Sequence, residues 1–559
     1  MTRPLTLDTV VDALAEQAQK ALARQITDVA HPNVGACVSE AFGIAEPASA
    51  VSLIAACGFL YLVQRDDFWL ERARLGIDYM LRAQHSDGLI DLISCNYDSA
   101  PDTGFAVQRL CPLIELGRGT GLAGEQAGRD SRWTDFSTQV EAFVRRAVPG
   151  MLTGGFHTPN HRWAISSALA WAAHLCPDLD VDDTVAAYLA EGFDVDQEGA
   201  FIERSVGVYD AVCDRSLLLL HTLWQAPGAL GAVQANLDLD LHLLHADGTA
   251  ETGLSRRQDL GTRTVPLGLA APYLWAAHLL GEARFAAAAQ FLWTSATSFG
   301  LDDLNWLLYA LLRLGEPDGE LKVVDALPNR FTRYLPLNGI WRVRDGPFSA
   351  TLFRGSTRLL TLVYGQAELC GLSASQSYFG VGQFVGDSLE VQGDVTVLRS
   401  EGMHRPHRPG YDLPLGRPVP PPSWHEIRLQ GDYRPLPPCA SELHVRQIDG
   451  GLELHYRSLD GVDGVAAQVA LDFPPGGVWE TGDVCTSTHA GQAVFLKQGY
   501  GTMRYGTDAI RVGPGVYSHR TWQMRDVPLA SDRVRVLFTF RTPIDYVFTI
   551  TCDQQIAAL

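Results

Sequence analysis

Apolar residues recur every three to four positions through residues 1–320 and every second position through much of the remainder. The first pattern predicts about twelve helices, near 8–25, 46–64, 68–84, 103–117, 133–149, 161–175, 181–192, 210–225, 229–244, 266–280, 283–298 and 302–314. In the sixth, Ala164, Ala168, Leu169, Ala172 and Leu175 share one face, as a buried stripe requires. A weak repeat runs through the same region. Gln84-His85-Ser86-Asp87-Gly88, Asp196-Gln197-Glu198-Gly199 and His245-Ala246-Asp247-Gly248 each follow one helix and lead through a polar stretch to another. Gly154-Gly155 takes the corresponding place before His157. Steps of 45 and 49 residues separate Gly154, Gly199 and Gly248, about the length of one helical hairpin. Twelve helices in six hairpins predict an (α/α)6 toroid whose repeated loops line a cleft at one rim.

After Glu316-Pro317-Asp318-Gly319 the pattern changes. Residues 321–345 read as a linker, and 346–559 as an antiparallel β-sandwich punctuated by Gly and Pro. Leu452, Leu454 and Tyr456 alternate in this way, as do Val534, Val536 and Phe538, and Val391, Val395 and Val397. The fold class expected is therefore α+β and multidomain, a toroid followed by a sandwich. The Pro-rich stretch 401–425 is too long for a hairpin connection and carries His404 and His407, which favours a functional loop.

Composition narrows the partners. A chain of 559 residues exceeds one ordinary core, and 46% hydrophobic with 19% charged residues is the balance of a folded globular protein. A net charge of −20 argues against nucleic acid. An acidic substrate would then have to be met by a local cluster of Arg and His. The ten cysteines are scattered without CxxC or Cys/His ligand spacing, so they read as buried small hydrophobes in a reducing compartment. The opening MTRPLTLDTVVDALAEQ reads as an amphipathic helix and not as a signal peptide, and no membrane segment is evident. A cytoplasmic location is expected, with no metal, no cofactor, no nucleic acid and no membrane partner. Oligomeric state is left open.

Three rim segments carry candidate chemistry. The first runs from Phe156 to Trp163 and includes His157, Asn160 and His161, with Asn160 read as a helix N-cap and His161 as a first-turn residue. The second, Glu203 to Asp210, includes Arg204 and Tyr209 and leads into the helix that carries Arg215. The third, Glu251 to Asp259, includes Arg256 and Arg257, whose forked guanidinium groups suit carboxylates better than Lys would. An earlier loop, Asp87 to Asp102, supplies Asn96 and Tyr97 as groups that bind sugar hydroxyls. Each of these residues also has an ordinary structural use, as cap, packing aromatic or solvated charge.

Taken together, the architecture, the adjacent Asn160-His161 pair and a tyrosine 49 residues after Asn160 resemble the toroid-plus-sandwich polysaccharide lyases. That group contains alginate and oligoalginate lyases and the heparinase II/III-like enzymes. The resemblance implies β-elimination on a uronic-acid glycan, an acidic oligosaccharide or polysaccharide being the partner. It implies that Asn160 and His161, with an Arg, neutralise the uronate carboxylate. Tyr209 would remove the C5 proton, or protonate the leaving O4 while a His acts as base. A further His from the sandwich side, His404 or His407, would complete the site, and His157, Arg204, Arg256, Arg257, Asn96 and Tyr97 would contact substrate. Holding a developing enolate dianion with such donors follows the logic of an oxyanion hole. Two other readings remain open at this point. A toroid glycoside hydrolase would use carboxyl pairs drawn from Asp87, Asp98, Asp102 and Glu203. A glycan-binding protein without catalysis would need only aromatic platforms.

Overall fold

A computed structural model describes residues 3–119, 130–317, 327–378, 382–402, 410–525 and 527–554. His404 and His407 lie outside them. The chain divides into two units, one of residues 1–244 and 248–328, the other of residues 245–247 and 329–559.

The first unit has twelve α-helices among the described residues: α1 (Leu7–Leu22), α2 (Pro47–Gln64), α3 (Asp67–Ala83), α4 (Ala100–Arg118), α5 (Ser131–Leu152), α6 (Pro159–Leu175), α7 (Asp182–Ala190), α8 (Tyr209–Trp224), α9 (Ala229–Leu243), α10 (Ala270–Leu280), α11 (Ala283–Ser295) and α12 (Leu301–Leu314). Each falls within a few residues of its predicted span. The even-numbered helices contact one another in cyclic order, α2 to α4, α6, α8, α10 and α12, and α12 returns to α2. The odd-numbered helices pack outside that ring. Sequence explains the division. In α2, α6 and α10 apolar and small residues occupy nearly every face, as full burial demands, while α1, α3 and α5 are apolar on one side only. By length and hydropathy α2 passes for a membrane span, yet 78% of its apolar window is buried inside this unit.

The Asp-Gly repeat has a structural cause. Gly88, Gly199 and Gly248 adopt φ of +86°, +94° and +85°. A Cβ at these positions would collide with Arg146 on α5, Ala235 on α9 and Ser295 on α11 respectively. Gly35, at +92°, meets Leu75 on α3 in the same way and is the member the sequence reading missed. The Gly154 turn does not belong to this set. A Cβ there would have the Tyr188 hydroxyl as its nearest neighbour, at 3.4 Å.

The second unit contains two large sheets. One has eight strands, ordered β19 (Ala493–Phe495), β22 (Val534–Arg541), β16 (Ala466–Phe473), β9 (Ala367–Gln376), β8 (Leu360–Tyr364), β7 (Phe348–Phe353), β6 (Ile340–Asp345) and β5 (Arg330–Leu335). The other has nine: β10 (Ser388–Gln392), β11 (Val395–Ser400), β14 (Ser441–Ile448), β15 (Gly451–Ser458), β23 (Asp545–Gln554), β21 (Asp508–Gly513), β20 (Gly501–Tyr505), β17 (Val478–Glu480) and β18 (Cys485–Ser487). All pairings within them are antiparallel except β19 with β22. Leu362, Leu369, Val469 and Phe538 of the first sheet share one hydrophobic cluster with Leu443, Leu452, Ile510 and Phe548 of the second. The rings of Phe538 and Phe548 meet edge to face at 5.3 Å.

Strands begin earlier than the alternation indicated. β5 and β6 occupy residues 330–345, the stretch read as a linker, because buried Arg342 and Arg344 interrupt the apolar signal of β6. Leu452, Leu454 and Tyr456 are buried as expected, and so are Val534, Val536 and Phe538. Val391 is exposed, since it stands across a hairpin turn from Val395 and does not share its strand.

Candidate active site

The candidate site assembles within the helical unit, where the loops preceding α6, α8 and α10 meet. Thr158 is the N-cap of α6 and Pro159 its first residue, a position where the missing N–H is harmless. Asn160 is therefore inside the first turn and is not the cap. It is fully buried, and its Nδ2 donates to both carboxylate oxygens of Glu203, at 2.9 and 2.8 Å. Its Oδ1 finds no donor among the described residues.

Glu203 also faces Arg257 at 3.4 Å. Burial raises the Glu203 pKa, while the Asn160 hydrogen bond and the Arg257 charge hold it down. The Arg257 guanidinium lies 4.5 Å over the ring of Tyr209. Burial opposes that guanidinium charge, yet the Tyr209 hydrogen bond and the Glu203 charge raise its pKa overall. Tyr209 opens α8, its hydroxyl accepting from Gln258 Nε2 at 3.0 Å and its backbone N–H donating to Ser205 Oγ at 3.2 Å. Asparagine, glutamate, arginine and tyrosine thus form one chain of contacts.

Asp259 fixes the two loops that carry this chain. It accepts from Ser205 Oγ at 2.8 Å, from the Gly207 N–H at 3.1 Å and from Ser255 Oγ. A Cβ on Gly207 would lie 2.7 Å from the Asp259 carboxylate, so only glycine allows this approach. Ser205, Gln258 and Asp259 were quoted in the sequence segments without a role. The bonds of Gln258 to Tyr209 and of Asp259 to Ser205 and Gly207 span 49 to 54 residues, beyond what local pattern shows.

His161 is partly buried, with Nδ1 3.1 Å from the Phe156 carbonyl oxygen. That acceptor requires the proton on Nδ1 and leaves the Nε2 lone pair free. Burial lowers the His161 pKa, against the favourable Phe156 carbonyl and Asp102 charge. The ring also meets Phe105 at 6.2 Å.

The remaining predicted residues are spread around this centre. Arg256 is exposed, its backbone N–H bound to the Glu203 carbonyl. Arg204 is half-buried at φ +53°. His157 is turned outward, 3.0 Å from Glu191 and stacked on Tyr188. Asn96 and Tyr97 lie on the short strand β4 (Asn96–Ser99), where Asn96 reaches Asp102 at 3.4 Å and Tyr97 is 69% exposed.

Comparison with solved structures finds the same chain path in enzymes of one kind. Chondroitin AC lyase of Streptomyces coelicolor A3, in complex with chondroitin sulphate, matches 99% of this chain and 80% of its own, with a TM-score of 0.54 and 14% identity. A Paenibacillus xanthan lyase matches 99% of this chain at a TM-score of 0.54 and 10% identity, though the match spans 57% of that longer protein. A heparinase III covers 98% of this chain and 85% of its own, with a TM-score of 0.51 and 9% identity. This chain has a polysaccharide-lyase fold. No family model matches it, and no curated protein matches it by sequence.

On this polysaccharide-lyase fold two of the carboxylates named for hydrolysis, Glu203 and Asp102, are engaged by neighbouring side chains. Glu203 is held by Asn160, and Asp102 accepts from Ser99 and Asn96. Asp98 is 3.6 Å from His85 Nδ1, and Asp91 is 3.1 Å from His85 Nε2. These three groups bring ligand atoms within 4.8 Å of one another. The two carboxylates address opposite nitrogens of one ring, however, which suits an imidazolium bonded to Asp91 and faced by the Asp98 charge better than a shared cation. The hydrogen bond to Asp91 is the main cause raising the His85 pKa.

Proposed function

We propose that this protein is a polysaccharide lyase that cleaves a uronic-acid glycan by β-elimination, with the ring of helices as an (α/α)6 toroid and the paired sheets as a β-sandwich. The observation that carries the reading is the Tyr209 hydroxyl between Gln258 and the stacked Arg257, the latter anchored by Glu203. As the phenolate, whose negative charge Arg257 is placed to stabilise, Tyr209 can take the C5 proton and become a neutral phenol. The same phenol can return the proton to the leaving O4, giving a C4–C5 alkene. His161, neutral with Nε2 free, is a second base for the variant in which Tyr209 acts only as acid.

Neutralising the uronate carboxylate takes donors. Both N–H groups of Asn160 are used on Glu203, so Asn160 acts here by fixing Glu203 and, through it, Arg257. Direct contact with the carboxylate then falls to Arg256 and Arg257. Hydrolysis is the weaker reading, because Glu203 is engaged by Asn160 and Arg257, and Asp102 by Ser99 and Asn96.

The test is a panel of uronate-containing glycans, with chondroitin, heparan and xanthan types included, followed by alkene absorbance. Wild type should yield unsaturated product, and Tyr209→Phe should lose roughly 10²–10⁴-fold in kcat with an unchanged melting temperature. Full activity in Tyr209→Phe, or reducing ends without alkene from wild type, would overturn the reading.

A further inference from the structure

One arginine inside the ring of helices carries a charge that no described group answers by contact. Arg215 lies on α8 six residues past Tyr209, hence about 9 Å further along the axis. It is 9% exposed, and its Nε is enclosed without an acceptor. Its guanidinium stacks on the face of Trp306 on α12, 4.3 Å from the guanidinium carbon. Burial draws its pKa down to about 10, so it is a cation at neutral pH.

The neighbouring arginines differ. Arg109 on α4 is gripped by Asp302, with Nε at 2.9 Å and Nη2 at 2.5 Å. Arg313 on α12 donates to Glu115 at 2.7 Å. Both are therefore spoken for. The charges of Asp302 and Asp303 act on Arg215, the Asp303 pKa being pushed up to about 6 by burial and by Asp302, but among the described residues neither carboxylate makes a hydrogen bond or ion pair with Arg215.

Past Trp306 the ring interior is filled. Trp306 packs on Trp171 at 6.2 Å and on Tyr309 at 6.1 Å, and Tyr309 meets Trp275 at 5.9 Å. In the other direction, Arg109 and Asp302, whose charges act on Arg215, line an open cleft of about 560 Å³ together with Ser49, Ser52 and Gly300. A cleft of that size holds a small saccharide. Burying an arginine without a partner is strongly unfavourable, and an arriving anion removes that penalty. An aromatic face against the guanidinium also leaves its in-plane N–H donors unused by the ring.

We propose that Arg215, backed by Trp306, is an oxyanion subsite that receives the carboxylate or sulfate of a saccharide reaching into the ring past Tyr209. The inference rests on the lyase reading for the identity of the ligand.

Two neutral or conservative variants of the full chain, Arg215→Met and Arg215→Lys, test it with inorganic sulfate, a glucuronate tetrasaccharide and its sulfated counterpart as probes. Sulfate should raise the melting temperature of wild type, that of Arg215→Lys less and only at severalfold higher concentration, and that of Arg215→Met not at all. On the better tetrasaccharide, Arg215→Met should raise KM roughly tenfold or more, with kcat changed far less. Preference for the sulfated or the unsulfated sugar identifies which oxyanion is bound. A wild-type KM and sulfate response in Arg215→Met would make Arg215 a structural cation only and overturn the proposal. If Arg215→Met does not fold, unchanged sulfate affinity in Arg215→Lys has the same force, and a severalfold loss supports the subsite. Should no glycan give an alkene while sulfate still discriminates wild type from Arg215→Met, the lyase reading fails and the oxyanion site stands.

Discussion

At Asn160 a short polar side chain is buried completely, and its use of both donors on Glu203 explains why an amide is needed. Alanine there would leave a buried carboxylate with Arg257 as its main partner, a loss of about 1–3 kcal/mol. Arg257 would lose its anchor over Tyr209, so Asn160→Ala should lower both the melting temperature and kcat. A variant with full stability and full activity would remove Asn160 from the positioning chain. His161 makes a separate prediction. If its neutral ring is the base, protonation abolishes activity, and burial shifts that protonation below the ordinary histidine range. The acid limb of kcat/KM should therefore lie below about pH 6.5, and His161→Gln should remove it. An acid limb that persists in His161→Gln assigns it to another group. Asn160, His161 and Tyr209 stand out in the sequence as candidates through their spacing and resemblance to lyase motifs, and Arg257 as one of an arginine pair in a loop. Their mutual contacts were not legible there. The Asn160–Glu203 and Tyr209–Gln258 bonds span 43 and 49 residues, and no local pattern encodes such pairings.

Between α8 and α9 the sequence places three acids where packing leaves little water. Asp214 and Asp240 are fully buried, and none of their carboxylate oxygens has a hydrogen-bond partner among the described residues. Burial raises both pKa values well above normal, and Asp210, one turn from Asp214, is pushed up to about 7. Unfolded aspartates titrate near 4, so the folded chain holds protons that the unfolded chain has released. Stability must then fall as pH rises from about 4 towards 7 and beyond. Asp240→Asn should raise the melting temperature at pH 8 and leave it nearly unchanged at pH 4.5, with about 2–4 °C for each kcal/mol gained. An equal drop at both values would mean the carboxyl is held in a way this packing does not account for. Helices were the most legible elements because Ala- and Leu-rich periodicity survives any tertiary context. Turns were legible only in part. The Asp-Gly repeat correctly marked Gly88, Gly199 and Gly248, but Gly35 has no aspartate beside it to announce it. Gly199→Ala, which combines an unfavourable φ with a collision against Ala235, should destabilise the helical unit more than a typical surface change. Circular dichroism during thermal unfolding measures that difference.

A net charge of −20 on the whole chain sets a long-range problem for any acidic substrate. At 10 mM salt the Debye length is about 30 Å, and the summed field of the protein repels an approaching uronate oligosaccharide. At 150 mM it is about 8 Å, so that repulsion is largely screened. Contacts with Arg256, Arg257 or Arg215 act over a few ångströms in partly desolvated surroundings and are screened much less. The two ranges therefore respond differently to added salt. For an acidic glycan, kcat/KM should rise between 10 and 150 mM, and then decline at higher salt as the local ion pairs weaken. The rise should be steeper for a longer oligosaccharide, because each uronate adds to the repulsion. A monotonic fall from the lowest salt would instead show that the cationic groups of the cleft dominate the field even at long range, and that the surplus acids lie away from the path of approach. The experiment thus separates the net charge, which the sequence states outright, from its distribution, which only the fold determines.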